Sequence, residues 1–196
     1  MNWWAGGIAT SACLCACLRA FGGEELLQNG GFESPPVTGE TSAMNPQDWT
    51  LFSSVPAGQK IALSSKISHN GKQCAQLAAQ GRADAYQGMF QSTPVSLGTS
   101  CRFTAYLRND KDHPLRGSMR GQISIEWKNS EGNEIERVWG PDWGASLSSL
   151  EWTKVEMLAR PPANASRAHF VITQFDGKEA DSSGAFLVDE VSVTAQ

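Results

Sequence analysis

Cys101-Arg102-Phe103-Thr104-Ala105-Tyr106-Leu107-Arg108 sets apolar side chains at 101, 103, 105 and 107 against polar or amphipathic ones at 102, 104, 106 and 108. A strand turns successive side chains to opposite faces, so the first set faces a core and the second faces solvent or a ligand. Ile123, Ile125 and Trp127 alternate in the same way with Gln122, Ser124, Glu126 and Lys128. Two strands, each with one apolar and one polar face, describe a two-layer sandwich whose outer surface is free for binding.

Working outward from these two segments, the chain from Leu26 onward reads as short apolar-alternating runs. They cover residues 31–33, 49–52, 60–64, 73–79, 86–95, 101–108, 121–129, 134–138, 153–160, 168–175 and 185–194. Between them stand residues that favour turns: Asn70-Gly71, Glu131-Gly132-Asn133, Pro161-Pro162 and Asp176-Gly177. No segment sustains a helical period. The expected fold is therefore all-β, an antiparallel two-sheet β-sandwich of jelly-roll type. With 196 residues there is room for one domain with a substantial core, placed at residues 23–196.

Nineteen Gly and seven Trp agree with many turns and large apolar surfaces. The formal net charge of −4, with no basic run, argues against nucleic acid as a partner, because phosphate binding needs clustered Lys and Arg. Residues 1–22 differ from the rest. Trp3 to Leu18 carries no charge, and Ala20-Phe21-Gly22 offers a small-x-small cleavage site, so this stretch reads as a signal peptide. Leu14-Cys15-Ala16-Cys17 also matches a lipoprotein box, with Cys17 as the lipidated residue. Both versions place the chain outside the cytoplasm or at the cell surface. The stretch is too short and Gly-rich for a transmembrane span, and no second apolar run follows.

Three of the five Cys lie in this leader; Cys74 and Cys101 remain. They pair as a disulfide or serve as small buried apolar residues. No CxxC or HExxH spacing occurs, and His69, His113 and His169 are scattered, which suits surface or structural roles.

Leu26-Leu27-Gln28-Asn29-Gly30-Gly31-Phe32-Glu33 followed by Pro46-Gln47-Asp48-Trp49 resembles the opening of the galactose-binding-like jelly-roll carbohydrate-binding modules of families four, nine, sixteen and twenty-two. His69-Asn70-Gly71-Lys72, the segment from Leu97 to Ala105, Ile125-Glu126-Trp127, Trp152-Thr153-Lys154-Val155 and the closing Phe186-Leu187-Val188-Asp189-Glu190-Val191 follow in the same order. Cys101 stands where those modules usually carry Tyr. The resemblance implies a non-catalytic domain that binds a polysaccharide or glycan. It also implies a structural calcium ion (Ca2+), with Glu33 and Asp189 supplying carboxylate oxygens and turn carbonyls around Lys72 assisting, in keeping with calcium's demand for six to eight oxygens.

Sugar rings stack their C–H faces on aromatic side chains, while their hydroxyls bond planar polar groups. Tyr106 is the leading candidate, flanked by Arg108 on the polar side of its strand. Trp139 and Trp143, in Trp139-Gly140-Pro141-Asp142-Trp143-Gly144, read as a Gly/Pro loop that either stacks on a ligand or folds back onto the sandwich. Tyr86 and Gln91, with Arg120, Gln122 and Gln174, are candidates for the same cleft. Trp49, Trp127 and Trp152 belong to the core by their alternation. Catalysis has little support: Glu134 and Glu136 are expected on one strand face, but neither an ordered glucanase carboxylate motif nor GxSxG is present. The alternative to glycan binding is a protein-binding or structural module of a cell-surface assembly, with other secreted chains as partners.

Overall fold

The computed structural model of the chain describes residues 23–179 and 181–196; the leader read at 1–22 lies outside them. Eleven strands occur among the described residues: β1 (Thr41–Ser42), β2 (Thr50–Ser53), β3 (Ile61–Ser64), β4 (Cys74–Ala78), β5 (Tyr86–Pro94), β6 (Cys101–Asn109), β7 (Arg120–Lys128), β8 (Glu134–Trp143), β9 (Thr153–Ala159), β10 (Arg167–Phe175) and β11 (Ala185–Ala195). They form a six-stranded sheet ordered β1-β3-β4-β11-β6-β9 and a five-stranded sheet ordered β2-β5-β10-β7-β8, antiparallel throughout. No helix among the described residues is long and apolar enough to cross a membrane.

The alternating residues build the core as their period requires. Phe103, Ala105 and Leu107 of β6 and Phe186, Val188 and Val193 of β11 face Ile123, Ile125 and Trp127 of β7 and Phe170 and Ile172 of β10; all are fully buried. Two contacts of aromatic edge on face join the layers, Phe103 with Phe170 at 5.6 Å and Trp143 with Phe186 at 5.2 Å between ring centres. Burying each large apolar side chain contributes about 1.5–3 kcal/mol, so this layer dominates stability.

Three expectations are corrected, and the choice left open for the two cysteines is decided. Residues 31–33 are not a strand: Phe32 takes φ 57° and buries its ring, in a turn that Asn29 holds through bonds to Ser34 and the Gln47 carbonyl. The Trp139–Trp143 segment is no loop, because β8 runs on through it with a bulge opposite β7. Trp152 is only half-buried, packed edge-on against His69 at 5.8 Å, whereas Trp49 and Trp127 are in the core. Cys74 and Cys101 are both free and buried. Cys74 lies on β4 and Cys101 pairs with Ala195 on β11, while β4 meets β11 only at Ala185–Val188. The two are thus separated by a strand and by about 20 Å along it, beyond disulfide reach.

Candidate functional site

The outer face of the five-stranded sheet carries an open cleft of about 370 Å³, lined by Phe52, Tyr86, Phe90, Glu126, Arg137, Trp139, His169, Val171, Thr173 and Phe175. Register explains its shape. Antiparallel pairing places Gly88, Thr173 and Gln122 in one row across the sheet, and Phe90, Val171, Ser124 and Trp139 in the next. Small side chains in the central strands form a floor, and aromatic side chains on the outer strands form walls. Gly88 is needed there, because a Cβ would sit 2.5 Å from the Phe52 ring and 2.3 Å from the Ile172 carbonyl oxygen.

The walls are exposed. Tyr86 is 45% and Trp139 51% accessible, unusual for side chains of this size held on regular strands. They stand three strands apart and four residues offset along the strands, roughly 20 Å between backbone positions at normal sheet spacings. Phe90 stacks on His169 with ring centres 4.4 Å apart. In the floor, the buried Ser124 hydroxyl has no hydrogen-bond partner among the described residues.

The polar groups are positioned by ion pairs. Arg137 Nη2 lies 2.7 Å from Glu126 Oε1 and 2.9 Å from Glu134 Oε2, and its guanidinium covers the Trp139 ring at 4.9 Å. Lys128 Nζ lies 3.1 Å from both Glu126 and Glu134. The Arg137 hydrogen bonds, aided by Lys128, hold the Glu134 carboxyl down at about 2. Burial, reinforced by Lys128, keeps the His169 imidazole below its ordinary pKa, so it is neutral at pH 7. Glu126 is the only carboxylate among the cleft-lining residues. The bulge at Ile135 pairs Glu134 with Lys128 but Glu136 with Trp127, so the expected same-face carboxylate pair does not form.

The candidate residues therefore separate. Tyr86, Trp139, Arg120 and Gln122 lie on the cleft face: Arg120 stacks over Phe175 at 4.1 Å and donates to Gln122 Oε1 at 3.0 Å, and Gln122 donates to the Gly140 carbonyl. Tyr106 and Arg108 lie on β6 in the opposite sheet, so they cannot share this cleft. The Tyr106 ring is not bare, as its strand position suggests; the turn at 68–73 lays His69 on it, stacked at 3.8 Å, and Arg108 donates to the Ser149 carbonyl. Trp143 points inward, 7% exposed, because the β8 bulge brings it over Gly121, where any side chain would meet its ring. Gln91 is buried and bonds both ways with the Gln28 backbone. Gln174 is fully buried, accepting from Gln87 at 2.7 Å and donating to Asp176.

The pair Glu33 and Asp189 converges on one turn. Glu33 Oε1 accepts from the N–H of Lys72 at 2.8 Å and of Gln73 at 3.1 Å; Asp189 Oδ2 accepts from those of His69 at 2.7 Å and Asn70 at 3.1 Å. Lys72 thus meets Glu33 through its amide and not through its carbonyl. Gly71, at φ 71°, passes so close to Glu33 that a Cβ would lie 2.3 Å from its oxygen. Asp189 is fully buried, and burial pushes its carboxyl up to about 6 despite three backbone donors. No Lys or Arg pairs with Glu33 or Asp189 among the described residues, and no third His, Cys, Asp or Glu side chain completes a cluster with them. The two carboxylates, held by backbone N–H groups and by no Lys or Arg among the described residues, are of the donor type a hard cation takes, with its remaining oxygens to come from backbone and water.

No protein-family model and no curated protein sequence matches the chain. Solved structures do. The CBM22-1 xylan-binding domain of Paenibacillus barcinonensis Xyn10C superposes with TM-score 0.56 at 18% identity, covering 90% of this chain and 97% of that one. The enzymatically active domain of bacteriophage CBA120 tailspike protein 4 gives TM-score 0.62 at 13% identity over 88% of this chain, and the arabinose-bound α-L-arabinofuranosidase MgGH51 gives 0.60 at 17% over 87%. The chain spans only 21% and 26% of those two proteins. At these identities the likeness establishes the fold: the β-sandwich shared with family 22 carbohydrate-binding modules.

Proposed function

We propose that the chain binds a glycan, without turning it over, in the cleft of the five-stranded sheet. The observation that carries this reading is the pair of exposed aromatic walls, Tyr86 and Trp139, standing over a floor of small side chains with Glu126 and Arg137 fixed beside them. A sugar ring has two apolar faces and an equator of hydroxyls, so it needs aromatic surfaces with polar groups between them. A flat apolar patch would suit a protein partner better; this surface is concave and polar at one end. The carboxylate chemistry argues against hydrolysis. Glu126 and the neighbouring Glu134 are both tied up by Arg137 and Lys128, and Glu134, held at about 2, carries no proton to donate near neutral pH.

Calcium belongs to the same proposal in a structural role. Bound by Glu33 and Asp189, it would neutralise buried charge and tie the first residues of the sandwich to its last strand. It would not touch the sugar.

The test is a glycan array of plant, algal and host polysaccharides, read with calcium and with chelator, using the wild type and a Tyr86→Ala/Trp139→Ala double variant. Binding that the double variant loses supports the reading. Wild-type binding that survives in it places the site elsewhere. Release of reducing ends or unsaturated uronates, abolished by Glu126→Gln, would make the protein an enzyme.

A further inference from the structure

We infer that the glycan taken by this cleft is acidic, and that Arg120 reads its carboxylate; the inference rests on the glycan-binding reading above. The chain as a whole is acidic, at −4, yet the cleft face has the opposite bias. Register brings four cations to it (Arg120, Lys128, Arg137 and Arg167) against three carboxylates, Glu126, Glu134 and Asp142. Glu126 and Glu134 are matched by Arg137 and Lys128, which leaves Arg120 and Arg167 against Asp142 alone.

Arg120 is different from Arg137. It enters no ion pair among the described residues, although Asp142 lies across from neighbouring Gln122 and Asp84 lines the adjoining groove. The other carboxylates of that groove are engaged: Asp176 accepts from the backbone of Gln80, Gly81 and Arg82, and Glu179 from Ser118 and Ser182. The Arg120 guanidinium is nonetheless held in place, its Cζ over the Phe175 ring at 4.1 Å and its Nη1 bonded to Gln122 Oε1 at 3.0 Å. A planar fork of donors, already oriented and lacking a carboxylate, has the geometry that binds one in bidentate fashion. Phe175 lines the cleft beside Tyr86, so a sugar stacked on that wall would bring an equatorial carboxylate to this fork. Arg167, at the other end of the face and about 26 Å away along the strands, likewise enters no ion pair among the described residues, its guanidinium bonded to Ser92.

The experiment compares matched polymers: glucuronoxylan and polygalacturonate, each beside its carboxyl-reduced neutral form, titrated calorimetrically into wild type, Arg120→Gln and Arg120→Lys. The readout is the ratio of acidic to neutral affinity within each protein. Expected is a wild-type ratio of about ten for at least one pair, equivalent to about 1.4 kcal/mol, falling to about one in Arg120→Gln and only part of the way in Arg120→Lys, which keeps the charge but not the fork. Matching thermal midpoints confirm that both variants are folded. A wild-type ratio near one, or a ratio that Arg120→Gln preserves, overturns the inference while leaving the cleft reading intact. No binding to any of the four polymers also overturns it. If the wild type binds no glycan on the array either, the binding reading falls with it.

Discussion

Replacing Trp139 by Ala removes half of the proposed sugar platform, and the structure sets the size of the loss. A Trp side chain offers roughly 200 Å² of surface, and Trp139 leaves 51% of its surface open, so about 100 Å² is available to a ligand. A sugar covering one ring face would bury about half of that, worth about 1.3 kcal/mol at 25 cal/mol per Å². Stacking geometry adds about 0.5–1.5 kcal/mol. The expected weakening is therefore about 2–3 kcal/mol, or roughly 30- to 150-fold in Kd. The fold should tolerate the change, since Arg137 loses the ring beneath it but keeps Glu126 and Glu134. Isothermal titration with a glycan that binds the wild type measures the loss, a thermal melt checks the fold, and Trp139→Phe should recover part of the affinity. Unchanged affinity in Trp139→Ala, with Tyr106→Ala losing it instead, would falsify the assignment of the cleft to this sheet.

Other expectations follow from the same geometry. Tyr106→Ala should leave glycan affinity within about twofold and cost about 1–2 kcal/mol of stability by uncovering His69, read by denaturant melts of the variant. Glu134, whose carboxyl is held at about 2, contributes stability present above its unfolded pKa of about 4.5 and lost as pH falls from there toward 2. Because its side chain is about a third exposed, solvent screening reduces that contribution to about 1 kcal/mol, and melts from pH 6 to 2.5 should show wild type and Glu134→Gln converging at the acid end. Calcium should raise the thermal midpoint with the logarithm of its free concentration, and Asp189→Ala should abolish the rise; identical midpoints in calcium and chelator would remove the metal from the proposal. Cys74 and Cys101 should stay unreactive toward a thiol reagent until the chain is unfolded, with no mass change on reduction.

The sequence by itself determined the architecture. Period-two alternation at 101–108 and 122–128 is a local property of a pleated chain, and it sorts core from surface before any partner strand is known. Phe103, Leu107, Ile123 and Trp127 are buried as that rule requires. The same rule put Tyr106 and Gln122 on outward faces. It could not say which sheet's outward face each would share, because that depends on strand order. Tyr106 and Trp139 separated for this reason: β6 joined one sheet and β8 the other. A single inserted residue also reverses the rule locally, as the β8 bulges did for Glu134 and Glu136 and for Trp143.

One signal for the cleft was present in the sequence. His169, Val171, Thr173 and Phe175 alternate with Ala168, Phe170 and Ile172, so β10 carries apolar side chains, Val171 and Phe175, on its second face as well. A central strand of that kind is covered on its second side, and here that side is the cleft floor. Glu126 and Arg137 carried no such mark, since an isolated charge on a strand reads as a solvated one. Their pairing, the His69 cap on Tyr106 and the unpaired guanidinium of Arg120 arise from contacts between strands far apart in the chain, and only the packed tertiary structure decides those.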